Sequence, residues 1–229
     1  MADALDDDDE VFVYMGGDQE VPQHVRRARL HRSVKNIRAA AFYNRRNLIS
    51  VEFHDEIEII EEYAFRGCKS LRGCIKLLGV KIIKQTAFRG CIALTGVEFG
   101  DVLETIEEYA FFNCKALTNI KMPSVRTIGW GAFTWCKELS DVECGEDLET
   151  IQRGAFIHCR KLKRIALPLR DNMIDGDVVF GNCPKLATVE LVGGIHSTVG
   201  SLHMESWRND RSNTAVDGIS YPTTQSLQD

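Results

Sequence analysis

At 229 residues, 44% hydrophobic and 27% charged, with 18 Gly and 5 Pro, the chain has ordinary globular usage, which excludes a collagen-like or wholly disordered protein. The net charge is −5, yet Asp3, Asp6, Asp7, Asp8, Asp9 and Glu10 all stand in the first ten residues, so the remainder is nearly neutral. No apolar run approaches the roughly 18 residues of a bilayer span, and the acidic start lacks the basic-then-apolar order of a secretory signal, so a soluble, cytoplasmic protein without membrane insertion is expected.

In chain order, residues 1–10 read as an acidic, solvated tail. Residues 11–24 read as an N-terminal cap, in which Val11-Phe12-Val13-Tyr14 forms a strand over the first apolar layer. Residues 25–192 carry a repeat. Ala41-Phe42 recurs as Ala64-Phe65, Ala87-Phe88, Ala110-Phe111, Ala132-Phe133 and Ala155-Phe156, then as Val179-Phe180, with Phe spacings of 23, 23, 23, 22, 23 and 24. A period in the low twenties marks a solenoid. Leu48, Leu71, Leu94, Leu117, Leu139, Leu162 and Leu186 open each copy. Ile37, Ile60, Ile83, Ile106, Ile128, Ile151 and Ile174 precede each Ala-Phe. In Leu117-x-x-Ile120-x-Met122, residues 120 and 122 point inward with period two, which is a strand.

The Ile-x-x-x-Ala-Phe spacing predicts one short helical turn per coil. Two residues after each Phe stands Asn44, Gly67, Gly90, Asn113, Trp135, His158 or Asn182. Gly and Asn tolerate positive φ there, whereas Trp135 and His158 depart from that preference. Val25-x-x-Ala28-x-Leu30 fits the strand half of an extra first coil. Alignment back from Ile83 turns Ile75 and Leu77 inward and places a one-residue bulge near Gly73-Cys74. The fold expected is an α/β repeat: a single curved leucine-rich-repeat solenoid of about seven to eight coils, with parallel strands and short helical turns. Residues 193–207, with Leu202 and Trp207, are expected to cap its last coil. Residues 208–229, rich in Ser, Thr, Asn and Asp, are expected to be a disordered tail.

The coil pattern resembles the BspA-type leucine-rich repeats, which run Leu-x-x-Ile-x-Ile-Pro and then Ile-x-x-x-Ala-Phe-x-x-Cys. The match covers roughly residues 25–191, with Pro at its expected place as Met122-Pro123 and Leu167-Pro168. The resemblance implies a protein-recognition scaffold. In some bacterial surface proteins such repeats serve as adhesins for extracellular host proteins, and the alternative expectation is an exported adhesin or pattern-recognition fragment binding extracellular protein or glycan.

Six cysteines fill one repeat slot (Cys68, Cys91, Cys114, Cys136, Cys159 and Cys183), with Arg45 in the first coil. A small buried side chain suits a recurrent bend, so buried thiols are expected rather than disulfides. No Cys-x-x-Cys supports zinc, and no cofactor is expected. Cys74, at the bulge, is the thiol expected to be exposed. Gly129-Trp130-Gly131 lacks the later glycine of a dinucleotide site, Ser201 has no nucleophile elbow, and the histidines pair with no carboxylate, so no enzyme is expected.

What remains is surface. The outward strand row reads Arg29, Glu52, Lys76, Glu98, Lys121, Glu143, Ala166, Glu190, alternating in sign through six coils. Such a row sets coil register, forms a polar recognition strip, or does both. Trp130 and Trp135 lie on the turn side, as a buried wedge or as an aromatic contact point. Lys and Arg are interspersed with acids along the chain, with Arg26, Arg27 and Arg29 the main exception, so the expected partner is an unidentified protein and not nucleic acid.

Overall fold

The computed structural model describes residues 10–168, 170, 173–174 and 178–192. The acidic run over residues 1–9, the cap expected at 193–207 and the tail at 208–229 lie outside the described residues. Fifteen strands follow one another: β1 (Val11–Tyr14), β2 (Arg27–Leu30), β3 (Asn36–Ile37), β4 (Ser50–Glu52), β5 (Ile59–Ile60), β6 (Gly73–Leu77), β7 (Ile82–Ile83) and β8 (Leu94–Phe99). The rest are β9 (Thr105–Ile106), β10 (Asn119–Met122), β11 (Thr127–Ile128), β12 (Asp141–Cys144), β13 (Thr150–Ile151), β14 (Arg164–Pro168) and β15 (Thr188–Val192).

Each coil has three sides. The first is a long strand with alternating burial, as in β10, where Ile120 and Met122 are buried while Asn119 and Lys121 are exposed. These strands pair in parallel in three blocks, β1-β2-β4, β6-β8 and β10-β12-β14-β15. The second side is a two-residue strand ending in a buried Ile, and β3-β5-β7-β9-β11-β13 form one unbroken parallel sheet. Between β6 and β8 the register slips at Gly73/Cys74, and Ile75 and Leu77 then face inward opposite Val97 and Phe99. The bulge lies where the sequence alignment puts it.

The third side corrects the expected helical turn: no helix occurs among the described residues. The Ala-Phe segment is a run of turns because its N–H groups leave the coil. Tyr63, Phe65 and Gly67 donate to Gln85, Ala87 and Arg89 carbonyls of the next coil at 3.2, 2.8 and 2.8 Å. The alternate groups Ala64, Arg66 and Cys68 donate back three residues at 3.3, 2.9 and 3.1 Å. An α-helix would spend all of these bonds internally and leave neighbouring coils unlinked. The geometry needs two left-handed residues per coil. One row is Asn44, Gly67, Gly90, Asn113, Trp135, His158 and Asn182, so Trp135 and His158 adopt the conformation despite their type. The other, not legible in residue type, is Ala40, Tyr63, Thr86, Tyr109, Gly131 and Gly154. Lateral hydrogen bonds hold these residues in a conformation that costs each non-glycine about 1–2 kcal/mol.

Inside the coils, Phe42, Phe65, Phe88, Phe111, Phe133, Phe156 and Phe180 stack face to face with centroids 4.8–5.7 Å apart. Tyr14 of β1 packs on Phe42 at 5.2 Å and is wholly buried, covering that column's first ring. The slot cysteines do more than fill space. Each thiol donates to the carbonyl of the preceding coil's Phe, from Cys68 to Phe42 at 3.0 Å through Cys183 to Phe156 at 3.1 Å. Arg45 replaces the thiol in the first coil and donates from Nε to the Val21 carbonyl at 2.5 Å, tying that coil to the segment before it.

Coils also touch backbone to backbone just after the long strands. A Cβ added at Gly145 would lie 1.6 Å from the Pro123 carbonyl oxygen, and one at Gly79 equally close to that of Asp55. Backbone cannot yield as a flexible side chain does. Gly145→Ala is therefore expected to lower stability by about 2–3 kcal/mol, read from urea melts. An unchanged midpoint would show that the coils are not in this contact.

Candidate functional site

The long-strand face carries the outward charged row. Register sets the charges in couples: Arg29 opposite Glu52, Lys76 opposite Glu98, and Lys121 opposite Glu143. The corresponding ion pairs measure 2.5, 3.4 and 3.0 Å. Among the described residues no ion pair joins Glu52 to Lys76 or Glu98 to Lys121. Those two gaps fall where the long-strand sheet is interrupted, so the row is three separate couples and not a continuous ladder. The Arg29 guanidinium holds the Glu52 carboxyl below the usual carboxylate range, mainly through their hydrogen bond.

At β14 the row meets Ala166, and Arg164 two residues earlier takes over. Its guanidinium donates to Asp141 at 2.8 Å and to Glu190 at 2.6 Å, bridging three strands. Sequence reading misses this residue because it followed a single outward position. The one two residues upstream, where Asp141 and Arg164 are neighbours in register, carried the signal. From β8 to β15, Glu98, Lys121, Glu143, Arg164 and Glu190 line a groove of about 820 Å³ together with the accessible apolar residues Pro123, Leu191 and Val192. Cys74 is exposed on its edge.

Trp130 and Trp135 lie elsewhere, on the turn side, so the structure does not unite them with the charged row. Trp130 is 38% exposed and leans on Tyr109 at 5.1 Å, while its backbone N–H donates to Gln152 Oε1 at 3.0 Å. Trp135 is half-buried and stacks on His158 at 4.1 Å, with Lys137 over its ring at 5.1 Å. Asn182 donates to His158 Nδ1 at 2.7 Å. Burial, and then Arg160 and Lys137, push the His158 imidazole below its ordinary pKa. Among the described residues no three His, Cys, Asp or Glu side chains converge as metal ligands, and no helix is long and apolar enough to cross a membrane.

Stacked coils of this pattern match a known repeat. Residues 23–88 and 81–206 match the model of the BspA type leucine-rich repeat region, in six copies. The chain belongs to the BspA-type leucine-rich-repeat family. A comparison with curated proteins finds no match. Among solved structures, a leucine-rich repeat protein of T. pallidum is 27% identical with a TM-score of 0.49, over 68% of this chain and 62% of that one. A leucine-rich repeat protein of Bacteroides ovatus is 21% identical with a TM-score of 0.50, over 71% of this chain and 54% of that one. The pneumococcal vaccine antigen PcpA is 19% identical with a TM-score of 0.45, over 80% of this chain and 66% of that one. This BspA-type chain thus spans less than two thirds of the first two. Leucine-rich repeats of this kind suggest a protein-interaction module.

Proposed function

We propose that the chain is a non-enzymatic interaction module that holds a partner protein along its long-strand face, with the groove from β8 to β15 as the contact. The observation that supports this reading most is the groove itself. Pro123, Leu191 and Val192 give apolar contact area, while Lys121, Glu143, Arg164 and Glu190 on the rim give orientation and selectivity. The proposed compartment is the cytoplasm, in keeping with slot thiols that serve as hydrogen-bond donors.

Exchanging the charges of one couple separates folding from recognition. Lys121→Glu alone sets two carboxylates opposite each other across β10 and β12 and should cost about 0.5–1 kcal/mol. Lys121→Glu together with Glu143→Lys restores the couple and should return the melting midpoint close to that of the parent. The exchanged variant is nevertheless expected to lose the proteins the parent captures in affinity pulldown. Capture unchanged in a folded, exchanged variant would move recognition off this face.

A further inference from the structure

Charge in this chain is sorted by position within the coil. On the row two residues before each short-strand isoleucine, sign alternates from coil to coil as Lys35, Glu58, Lys81, Glu104, Arg126, Glu149. Opposite charges therefore meet, with Lys35–Glu58 at 3.8 Å, Lys81–Glu58 at 2.9 Å and Arg126–Glu149 at 3.4 Å. The outward strand row alternates as well. The arc from each column Phe to the following Leu does not. Over seven coils it holds ten Lys or Arg and a single acid, Glu138, which is paired with Lys161. Directly after the slot residue, Arg46, Lys69, Lys115, Lys137 and Arg160 fill five of the first six coils, interrupted by Ile92. All of these cations are exposed except Lys137, which is half-buried.

The arcs are locked in register. Asn44, Gly67 and Gly90 donate their N–H groups to the carbonyls of Arg66, Arg89 and Phe112 in the next coil at 2.8, 2.8 and 2.9 Å. Like charges therefore recur at the coil pitch of about 5 Å, inside the roughly 8 Å Debye length at physiological salt. Such stacking works against the fold, in contrast to the paired rows elsewhere. Rings further position the cations. Arg66 lies over Tyr43 and Tyr63 at 5.7 and 5.4 Å, Arg89 over Phe112 at 4.9 Å, and Lys137 over Trp135 at 5.1 Å.

We propose that this basic flank binds an acidic, extended polypeptide segment, on a surface separate from the strand face. An extended chain advances about 3.3 Å per residue, so an acidic run offers at least one carboxylate for every coil it crosses. Guanidinium forks and ammonium groups on adjacent coils then make charge-assisted hydrogen bonds that also relieve the repulsion between coils. Single-stranded nucleic acid fits the flank less well. It binds by stacking bases on bare rings, whereas the rings here carry the chain's own cations.

The test is fluorescence anisotropy of a labelled oligoglutamate peptide titrated with the full chain, at low salt and at physiological salt. The parent is expected to bind, and to bind more weakly as salt rises. The triple variant Lys69→Gln, Lys115→Gln, Lys137→Gln should bind about tenfold or more weakly, as expected when several complementary charges are removed. Its melting temperature should equal or exceed the parent's, because repelling charges are gone, and this shows that lost binding is not lost folding. Lys76→Gln with Lys121→Gln, on the strand face, should bind as the parent does. Absence of parental binding at low salt, or equal binding by the triple variant, overturns the proposal. So does an equal loss from the strand-face pair. Tighter binding of a heparin fragment or single-stranded DNA of matched charge would assign the flank to another class of polyanion and also overturn it.

Discussion

Phe111→Ala is expected to lower the unfolding free energy by about 3–5 kcal/mol. Phe111 is wholly buried between Phe88 at 5.2 Å and Phe133 at 5.3 Å, with interplanar angles of 3° and 2°. Phe99 meets its edge at 6.1 Å. Truncation removes contacts in three successive coils, and the column cannot collapse into the gap. Its spacing is set by the backbone bonds Phe88 N–H to Ala110 O and Phe111 N–H to Ala132 O, both 2.8 Å. Partial relaxation of a rigid site puts the cost toward the upper end of that range. Denaturant melts measure it, and a loss below about 1 kcal/mol would remove the Phe column from the core.

A steep alkaline loss of stability is the second large effect. Burial pushes the thiols of Cys68, Cys114 and Cys144 up to about 12, and those of Cys91, Cys136 and Cys159 well above their ordinary value of 9.0. Below pH 9 folded and unfolded chains hold the same thiol protons, and the full stability is present. As pH rises through the unfolded value toward 12, the unfolded chain releases protons that the folded chain keeps, so stability falls. Each such thiol contributes a loss of about 1.4 kcal/mol per pH unit in that window. Urea midpoints should drop sharply above pH 9, and Cys114→Ala should reduce the slope. A bulky thiol reagent at neutral pH should meet Cys74 rapidly and the other seven cysteines slowly, since those seven are buried. Rapid reaction of all eight in the folded protein would overturn this account.

The sequence discloses the solenoid because every core position recurs: the Phe column, the short-strand isoleucines and the cysteine slot are each one residue type at one period. The expected helical turn and the observed run of turns differ for a definite reason. Ile-x-x-x-Ala-Phe spacing serves equally a helix and a turn whose N–H groups bond to the next coil, and local pattern does not record where a donor goes. The left-handed row through Tyr63, Thr86 and Tyr109 is hidden similarly, since those residues disfavour the conformation when alone. Alternation of sign on the strand row was legible, but its division into couples follows from the interruptions of the long-strand sheet between β4 and β6 and between β8 and β10. Arg45 stood out as a departure from the slot, and its role needed the Val21 carbonyl in view. The basic flank stayed hidden because its cations are diluted with acids along the chain, and only stacking sorts them.

The two gaps in the long-strand sheet have a mechanical consequence. On the opposite side the short-strand sheet and the ring column run on without a break, like a keel, whereas the long-strand side is a deck in three planks. At the seams the deck keeps a few ties near the strand starts, Arg72 N–H to Ile49 O at 3.0 Å, and Thr118 N–H and Oγ1–H to Thr95 O at 3.2 Å each. A load that flattens or tightens the molecule is therefore taken up at two hinge lines, one between β4 and β6 and one between β8 and β10. The second lies across the groove, so an object seated there can set the opening of its own berth with little strain on the keel.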